Sequence, residues 1–242
     1  MQGAVEDFGL TIQGLMFGKE PPTGGTPPPY KERMELVYSE ERHRQEAREL
    51  PDRELAVQAR VGDMPAFEAL VLRKTPAVVS VARRIVGNAE DARDVAQMVF
   101  LRVWEQLSRY DETYSFNTWL YRIATNLAID FLRSSRSRQK AHTATLQLVH
   151  LREEQTSAET SRAAEDESAS RLFERIAGRL TGKQRAAFVL REMEDLDTSE
   201  IAVILSCGES TVRNHLFNAR KILRKEIERV APGLAGRSAK KS

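Results

Sequence analysis

The sequence predicts an all-α protein with two small helical domains, a flexible linker between them and a disordered N-terminal extension. Three observations carry this. Apolar residues recur at three- and four-residue spacing through about 52–140 and again through about 169–230. Capping-box signals, Asn88–Asp91, Thr181–Gln184 and Asp197–Glu200, stand before three of those runs. No segment sustains the alternation expected of a strand, and there is no internal repeat.

In chain order, residues 1–50 form the extension. Gly3, Gly9, Gly14 and Gly18 precede PPTGGTPPPY, a composition that opposes regular structure. Residues 31–49 are heavily charged and support only a marginal helix. The first domain spans 51–140. Within it, Ala92, Val95, Val99, Val103 and Leu107 give one apolar stripe to a helix over about 89–108. Phe116, Leu120, Ile123, Leu127 and Phe131 do the same for a helix over about 116–133. Residues 141–168, rich in Ala, Ser, Thr and Glu, read as the linker. The second domain spans 169–230, with helical runs at Leu172–Leu180, Ala187–Met193, Ile201–Leu205 and Val212–Leu223. A basic tail covers 231–242.

Bulk properties narrow the function. The chain has 242 residues, 41% hydrophobic and 30% charged, with a formal net charge of +2. It is no polycation, so any nucleic-acid role must come from local charge. The single cysteine, Cys207, excludes an intramolecular disulfide and a cysteine-cluster zinc site. It falls in a turn where a small apolar group usually faces a core, so a structural thiol is expected rather than a redox sensor. No apolar run approaches the roughly 20 residues of a membrane span, and no signal pattern opens the chain. A cytoplasmic setting and no membrane insertion follow as expectations. There is no phosphate-cradling glycine loop, metal-ligand spacing or nucleophile motif, so we expect no enzyme, no cofactor and no metal.

Three helices carry a second face. On the 89–108 helix, Asp94, Gln97, Leu101 and Trp104 lie roughly opposite the core stripe; they fill a second core seam or meet a partner. On the 116–133 helix, Trp119, Arg122, Asn126, Asp130 and Arg133 form a stripe turned about a third of a circle from the apolar one. Arg136, Arg138 and Lys140 extend it. Such groups suit unpaired bases: rings stack, the amide reads an edge and guanidiniums neutralise phosphates. A plain solvated face has the same composition. In the segment SCGESTVRNHLFNARKILRK, Val212, Leu216, Ala219 and Leu223 make the core stripe, while Arg213, Phe217, Arg220 and Arg224 repeat its spacing on another face. Asn214 and Asn218 lie beside them, Ser210 and Thr211 open the helix, and Gly208 is placed to cap it. A shorter helix precedes the Ser206–Gly208 turn. Together these form a helix-turn-helix pattern, whose second helix can enter a major groove.

The two halves together resemble the bacterial RNA polymerase sigma factors of the extracytoplasmic-function group, in the sigma-70 family. GNAEDARDVAQMVFLRVWEQLSRYD followed by FNTWLYRIATNLAIDFLR is similar to that group's domain 2. LTGKQRAAFVLREMEDLDTSEIAVIL followed by STVRNHLFNARKILRKEIE is similar to its domain 4. The resemblance covers about 52–230. It implies a non-enzymatic, cytoplasmic, monomeric initiation subunit that binds core RNA polymerase and promoter DNA, both duplex and melted strand, under the control of an anti-sigma factor. It implies core polymerase contacts at Asp94, Gln97, Phe100 and Trp104, and minus-ten contacts at Phe116, Trp119, Arg122, Asn126, Arg133 and Arg136. For the minus-thirty-five duplex it implies Ser210, Thr211, Arg213, Asn214, Phe217 and Asn218, with Arg220 and Arg224 placed for phosphates.

Departures from that pattern matter. Asn214, His215, Phe217 and Asn218 make the recognition face less cationic than the family's, and asparagine pairs well with adenine. Serines at 206 and 210 replace customary glycines. The first 50 residues lie outside the pattern, as a regulatory arm or because Met34 is the true start. A stand-alone helix-turn-helix regulator remains the alternative.

Overall fold

The computed structural model describes residues 30–149 and 172–230. The expected tails at 1–29 and 231–242 and the rest of the linker, 150–168, lie outside the described residues. Those described are organised by helices alone, with no strand among them. In order they are α1 (Tyr30–Glu49), α2 (Asp52–Arg60), α3 (Met64–Val86), α4 (Ala89–Gln106) and α5 (Phe116–Val149). After a short helix at 172–176 come α6 (Gly182–Glu192), α7 (Thr198–Leu205) and α8 (Glu209–Val230). Short 3-10 turns occur at Leu107–Arg109 and Ala177–Arg179.

These helices make two compact units, one within Met1–Val79 plus Ala96–Ile123 and one within Ser80–Val95 plus Ala124–Ser242. Neither unit coincides with the segments 51–140 and 169–230.

In the first unit, Leu55 and Ala56 of α2, Phe67 and Leu70 of α3, Phe100 and Val103 of α4, and Phe116 and Leu120 of α5 are buried. Each large side chain withdrawn from water contributes roughly 1.5–3 kcal/mol. An unexpected cap starts α3, where Asp63 Oδ1 accepts from Ala66 N at 3.0 Å.

Helix α1 lies where the charged stretch 31–49 supports a marginal helix, within the extension expected over 1–50. Arg73 donates to the carbonyls of Arg48 and Leu50, both at 2.8 Å, so a cation meets the negative end of the helix. His43 bonds Asp63 at 2.8 Å, Arg44 pairs with Glu68 at 3.3 Å, and Ala47 is buried. The anchors are mainly charges, which leave little hydrophobic periodicity.

In the second unit, Ala186, Val189 and Leu190 of α6, Ile201, Ile204 and Leu205 of α7, and Val212, Leu216, Ala219 and Leu223 of α8 are buried. Helix α8 packs on both α6 and α7. Both expected capping boxes form. Thr181 Oγ1 accepts from Gln184 N at 3.3 Å while Gln184 Oε1 accepts from Thr181 N at 3.0 Å. Asp197 Oδ1 accepts from Glu200 N at 2.9 Å, and Glu200 Oε2 accepts from Asp197 N at 3.0 Å. At α4 only half of the box exists: Asn88 Oδ1 accepts from Asp91 N at 2.7 Å, but the Asp91 carboxylate takes the Asn88 side-chain amide. Helix α5 runs to Val149, into the segment expected from residue 141 as linker.

Candidate nucleic-acid interface

The turn between α7 and α8 sets the direction in which α8 leaves. Ser206 takes the left-handed conformation at φ 51°, ψ 53°, and Cys207 N donates to Ala202 O at 3.0 Å, closing α7. Gly208 O then accepts from Thr211 N and Val212 N at 2.9 and 3.1 Å, starting α8 as expected of its cap. Cys207 is half-buried, not enclosed.

With Val212, Leu216, Ala219 and Leu223 buried, the opposite side of α8 is presented outward. Ser210, Thr211, Arg213, Asn214, Phe217, Arg220 and Arg224 are exposed, and Asn218 is half-buried. Phe217 is 66% exposed, so its ring lies on the outward face rather than in the core. Arg213 pairs with Glu209 at 3.1 Å and Arg220 with Glu192 at 2.6 Å. Asn218 Nδ2 donates to Asn214 Oδ1 at 2.8 Å. Beside this face lies an open groove of about 610 Å³, lined by Arg191, Arg213, Arg220, Lys221, Arg224 and Lys225, with Thr198, Phe217 and the single carboxylate Glu228. That balance of charge suits a polyanion. Arg191, Thr198, Lys221 and Lys225 were not singled out from sequence. Lys221 and Lys225 were legible, each following a chosen arginine; Arg191 and Thr198 reach the groove only through folding.

In the first unit, Tyr110, Phe116 and Trp119 form a ring cluster. Centroids lie 5.4 Å apart for Tyr110–Trp119, 5.7 Å for Tyr110–Phe116 and 5.9 Å for Phe116–Trp119. Tyr110 donates its hydroxyl proton to Tyr114 O at 3.1 Å, which shapes the loop before α5 and leaves the Tyr114 ring exposed.

Part of the second unit carries unusual electrostatics. Arg185 of α6 is 2% exposed, its Nε donates to Arg84 O in the last turn of α3 at 2.5 Å, and its guanidinium lies 5.7 Å from the Phe173 ring centre. Nη2 has no hydrogen-bond partner. Burial, then repulsion from Arg136, lowers its pKa to about 10 against the opposing pull of Glu174, so it stays charged at neutral pH. Arg83 pairs with Glu174 at 2.9 Å. A second cavity, about 650 Å³, is lined by Arg133, Arg136, Lys183 and His215 among others. Burial and the Lys183 charge hold the His215 pKa below its ordinary value.

Two sequence families match this chain: Sigma-70 region 2 over residues 70–138 and Sigma-70, region 4 over residues 170–223. The RNA polymerase sigma-H factor of Pseudomonas aeruginosa is 30% identical over 182 residues, 73% of this chain and 94% of that protein. The ECF RNA polymerase sigma-E factor of Haemophilus influenzae is 30% identical over 186 residues, 75% of this chain and 98% of that protein. The chain belongs to the sigma-70 family. Its fold is also that of CnrH in the solved complex with the cytosolic domain of CnrY, at TM-score 0.56 and 24% identity, covering 74% of this chain and 99% of that one. The Bartonella quintana sigma factor RpoE, solved with the anti-sigma factor NepR, superposes at TM-score 0.50 and 19% identity, covering 68% and 98%.

In this sigma-70 family chain, burial divides the residues singled out from sequence. Asp94 is exposed, while Gln97 and Trp104 are half-buried. Trp104 packs on Phe67 at 4.8 Å. Phe100 is 1% exposed and offers no surface to a partner; Met98, exposed on the same helix, does. Phe116, at 3% exposure, is likewise core, and Trp119 leans on it half-buried. Arg122 and Asn126 are exposed. Arg133 is exposed and pairs with Asp130 at 2.6 Å. Arg136 departs from its expected role: it is half-buried and donates to Gly178 O and Leu180 O at 3.0 and 3.3 Å. Tyr114 is the exposed aromatic that helical periodicity could not reveal, since it lies in a loop.

Proposed function

We propose that this chain binds core RNA polymerase and directs it to a particular set of promoters. The observation that carries the reading is the pairing of Sigma-70 region 2 and region 4 in one chain, with region 4 presenting the basic groove and the exposed face of α8. In this reading, residues 51–140 serve as the domain that binds polymerase and the melted minus-ten strand. Asp94, Gln97 and Trp104 face core polymerase, with Met98 in place of buried Phe100. Trp119, Arg122, Asn126 and Arg133 meet the single strand, with Tyr114 added from the loop. Residues 169–230 read the minus-thirty-five duplex: Asn214, Phe217 and Asn218 meet base edges, and Arg213, Arg220 and Arg224 hold phosphates, which position without specifying.

The protein acts in the cytoplasm as a monomer without catalysis of its own. Among the described residues, no helix is long and apolar enough to cross a membrane. An anti-sigma partner of the kind seen with the Bartonella quintana sigma factor completes the reading.

Run-off transcription with purified core polymerase on a promoter library tests it. The expected result is stable association with core and initiation from a small subset of templates. A chain that binds duplex DNA tightly alone and never associates with core would instead be a stand-alone helix-turn-helix regulator.

A further inference from the structure

We infer that Asn214 and Asn218 act as a single reading unit for one adenine of the upstream promoter duplex, an inference that rests on the duplex-reading role proposed above. The two amides are joined by a hydrogen bond from Asn218 Nδ2 to Asn214 Oδ1 at 2.8 Å. Each amide has one carbonyl oxygen and two N–H groups. Their mutual bond leaves an N–H donor on Asn214 and a carbonyl acceptor on Asn218. Exchanging the orientation of both amides reverses the roles but still leaves a donating NH2 on one residue and an accepting carbonyl on the other.

In the major groove, adenine presents an acceptor, N7, beside a donor, N6, and the pair matches both. Guanine presents two acceptors, so its O6 would face the asparagine carbonyl oxygen. Arginine is the usual reader of guanine, but Arg213 and Arg220 are assigned to phosphates above; without DNA they pair with Glu209 at 3.1 Å and Glu192 at 2.6 Å. Val212 and Leu216 are buried, so the helix that carries the pair is fixed by its core stripe.

The test uses the full chain with core RNA polymerase. An upstream element is first selected from a library randomised over the minus-thirty-five duplex. Each selected adenine is then replaced, one at a time, by 7-deazaadenine, which lacks the N7 acceptor. One position is expected at which this weakens wild-type binding about tenfold. Asn214→Ala and Asn218→Ala should each abolish that sensitivity, because neither amide is held in place without the other, and both variants should melt as the wild type does. Retained sensitivity in either variant overturns the inference, as does a selected element without a fixed adenine. A chain that forms no complex with core overturns the underlying reading, and this inference with it.

Discussion

The Arg185 guanidinium is buried against the last turn of α3, with Nε donating to the main-chain carbonyl of Arg84 at 2.5 Å. The bond puts a cation at the negative end of a helix, but Nη2 is left without a partner, which costs roughly 1–3 kcal/mol. Arg185→Ala loses the bond and opens a cavity, and is expected to cost about 2–4 kcal/mol. Arg185→Met keeps most of the volume and removes the orphaned donor, so it should cost less than about 1 kcal/mol. Urea midpoints of the two variants check this ordering; equal losses would show that the charge itself, not the packing, stabilises the site.

Phe116 and Trp119 touch each other but are expected to fail differently. Phe116 is core, so Phe116→Ala should lower stability by about 3–5 kcal/mol. Trp119 is half-buried, so Trp119→Ala should cost less stability and act mainly on promoter opening. Thermal melting paired with permanganate footprinting of the minus-ten region separates the two. Normal opening by a folded Trp119→Ala protein would remove Trp119 from the strand-binding face.

Ser206 occupies left-handed backbone space, which costs a residue with a Cβ roughly 1–2 kcal/mol. Ser206→Gly relieves that cost and regains part of it as unfolded-chain entropy. A net gain of about 0.5 kcal/mol is expected, seen as a rise in Tm of a few degrees. Ser206→Val should lower Tm instead, since a β-branched residue tolerates φ near 51° poorly.

His215 gives stability a pH dependence. Its folded pKa lies below the ordinary 6.5 through burial and the Lys183 charge, in a cavity also lined by Arg133 and Arg136. The unfolded chain therefore binds more protons as pH falls through 6.5, and stability drops over that window until the folded form is also protonated. His215→Gln should flatten this part of the profile. Denaturation midpoints at pH 7.5 and 5.5 for both proteins measure it.

Arg224 lies on the wall of the basic groove and is assigned to phosphate. Arg224→Ala should weaken holoenzyme binding similarly on all selected upstream elements. It should also make the slope of log affinity against log salt shallower by about 0.9. A change confined to one base position would mark it as a base reader.

Much of the fold was legible because the core stripes of α4, α5 and α8 repeat at helical spacing and two capping boxes announce α6 and α7. Asn88–Asp91 was only half right, because an aspartate's short arm found a side-chain partner before the backbone. Helix α1 leaves only a weak sign in the sequence because charges at residues distant in sequence hold it, and ion pairs leave no period. The outward face of α8 was legible because each core residue there fixes which of its neighbours points outward.

The sequence by itself determined the helices, the helix-turn-helix and the faces that carry amides, rings and guanidiniums, because periodicity along one chain is a local property. Only the tertiary structure decided which candidates are buried or held by other groups. Packing buried Phe100 and Phe116, carbonyls of the Ala177–Arg179 turn region engaged Arg136, and the end of α3 engaged Arg185. Burial and hydrogen-bond partners depend on which elements meet, and residues such as Arg84 and Arg185, 101 positions apart, carry no local sign of their meeting.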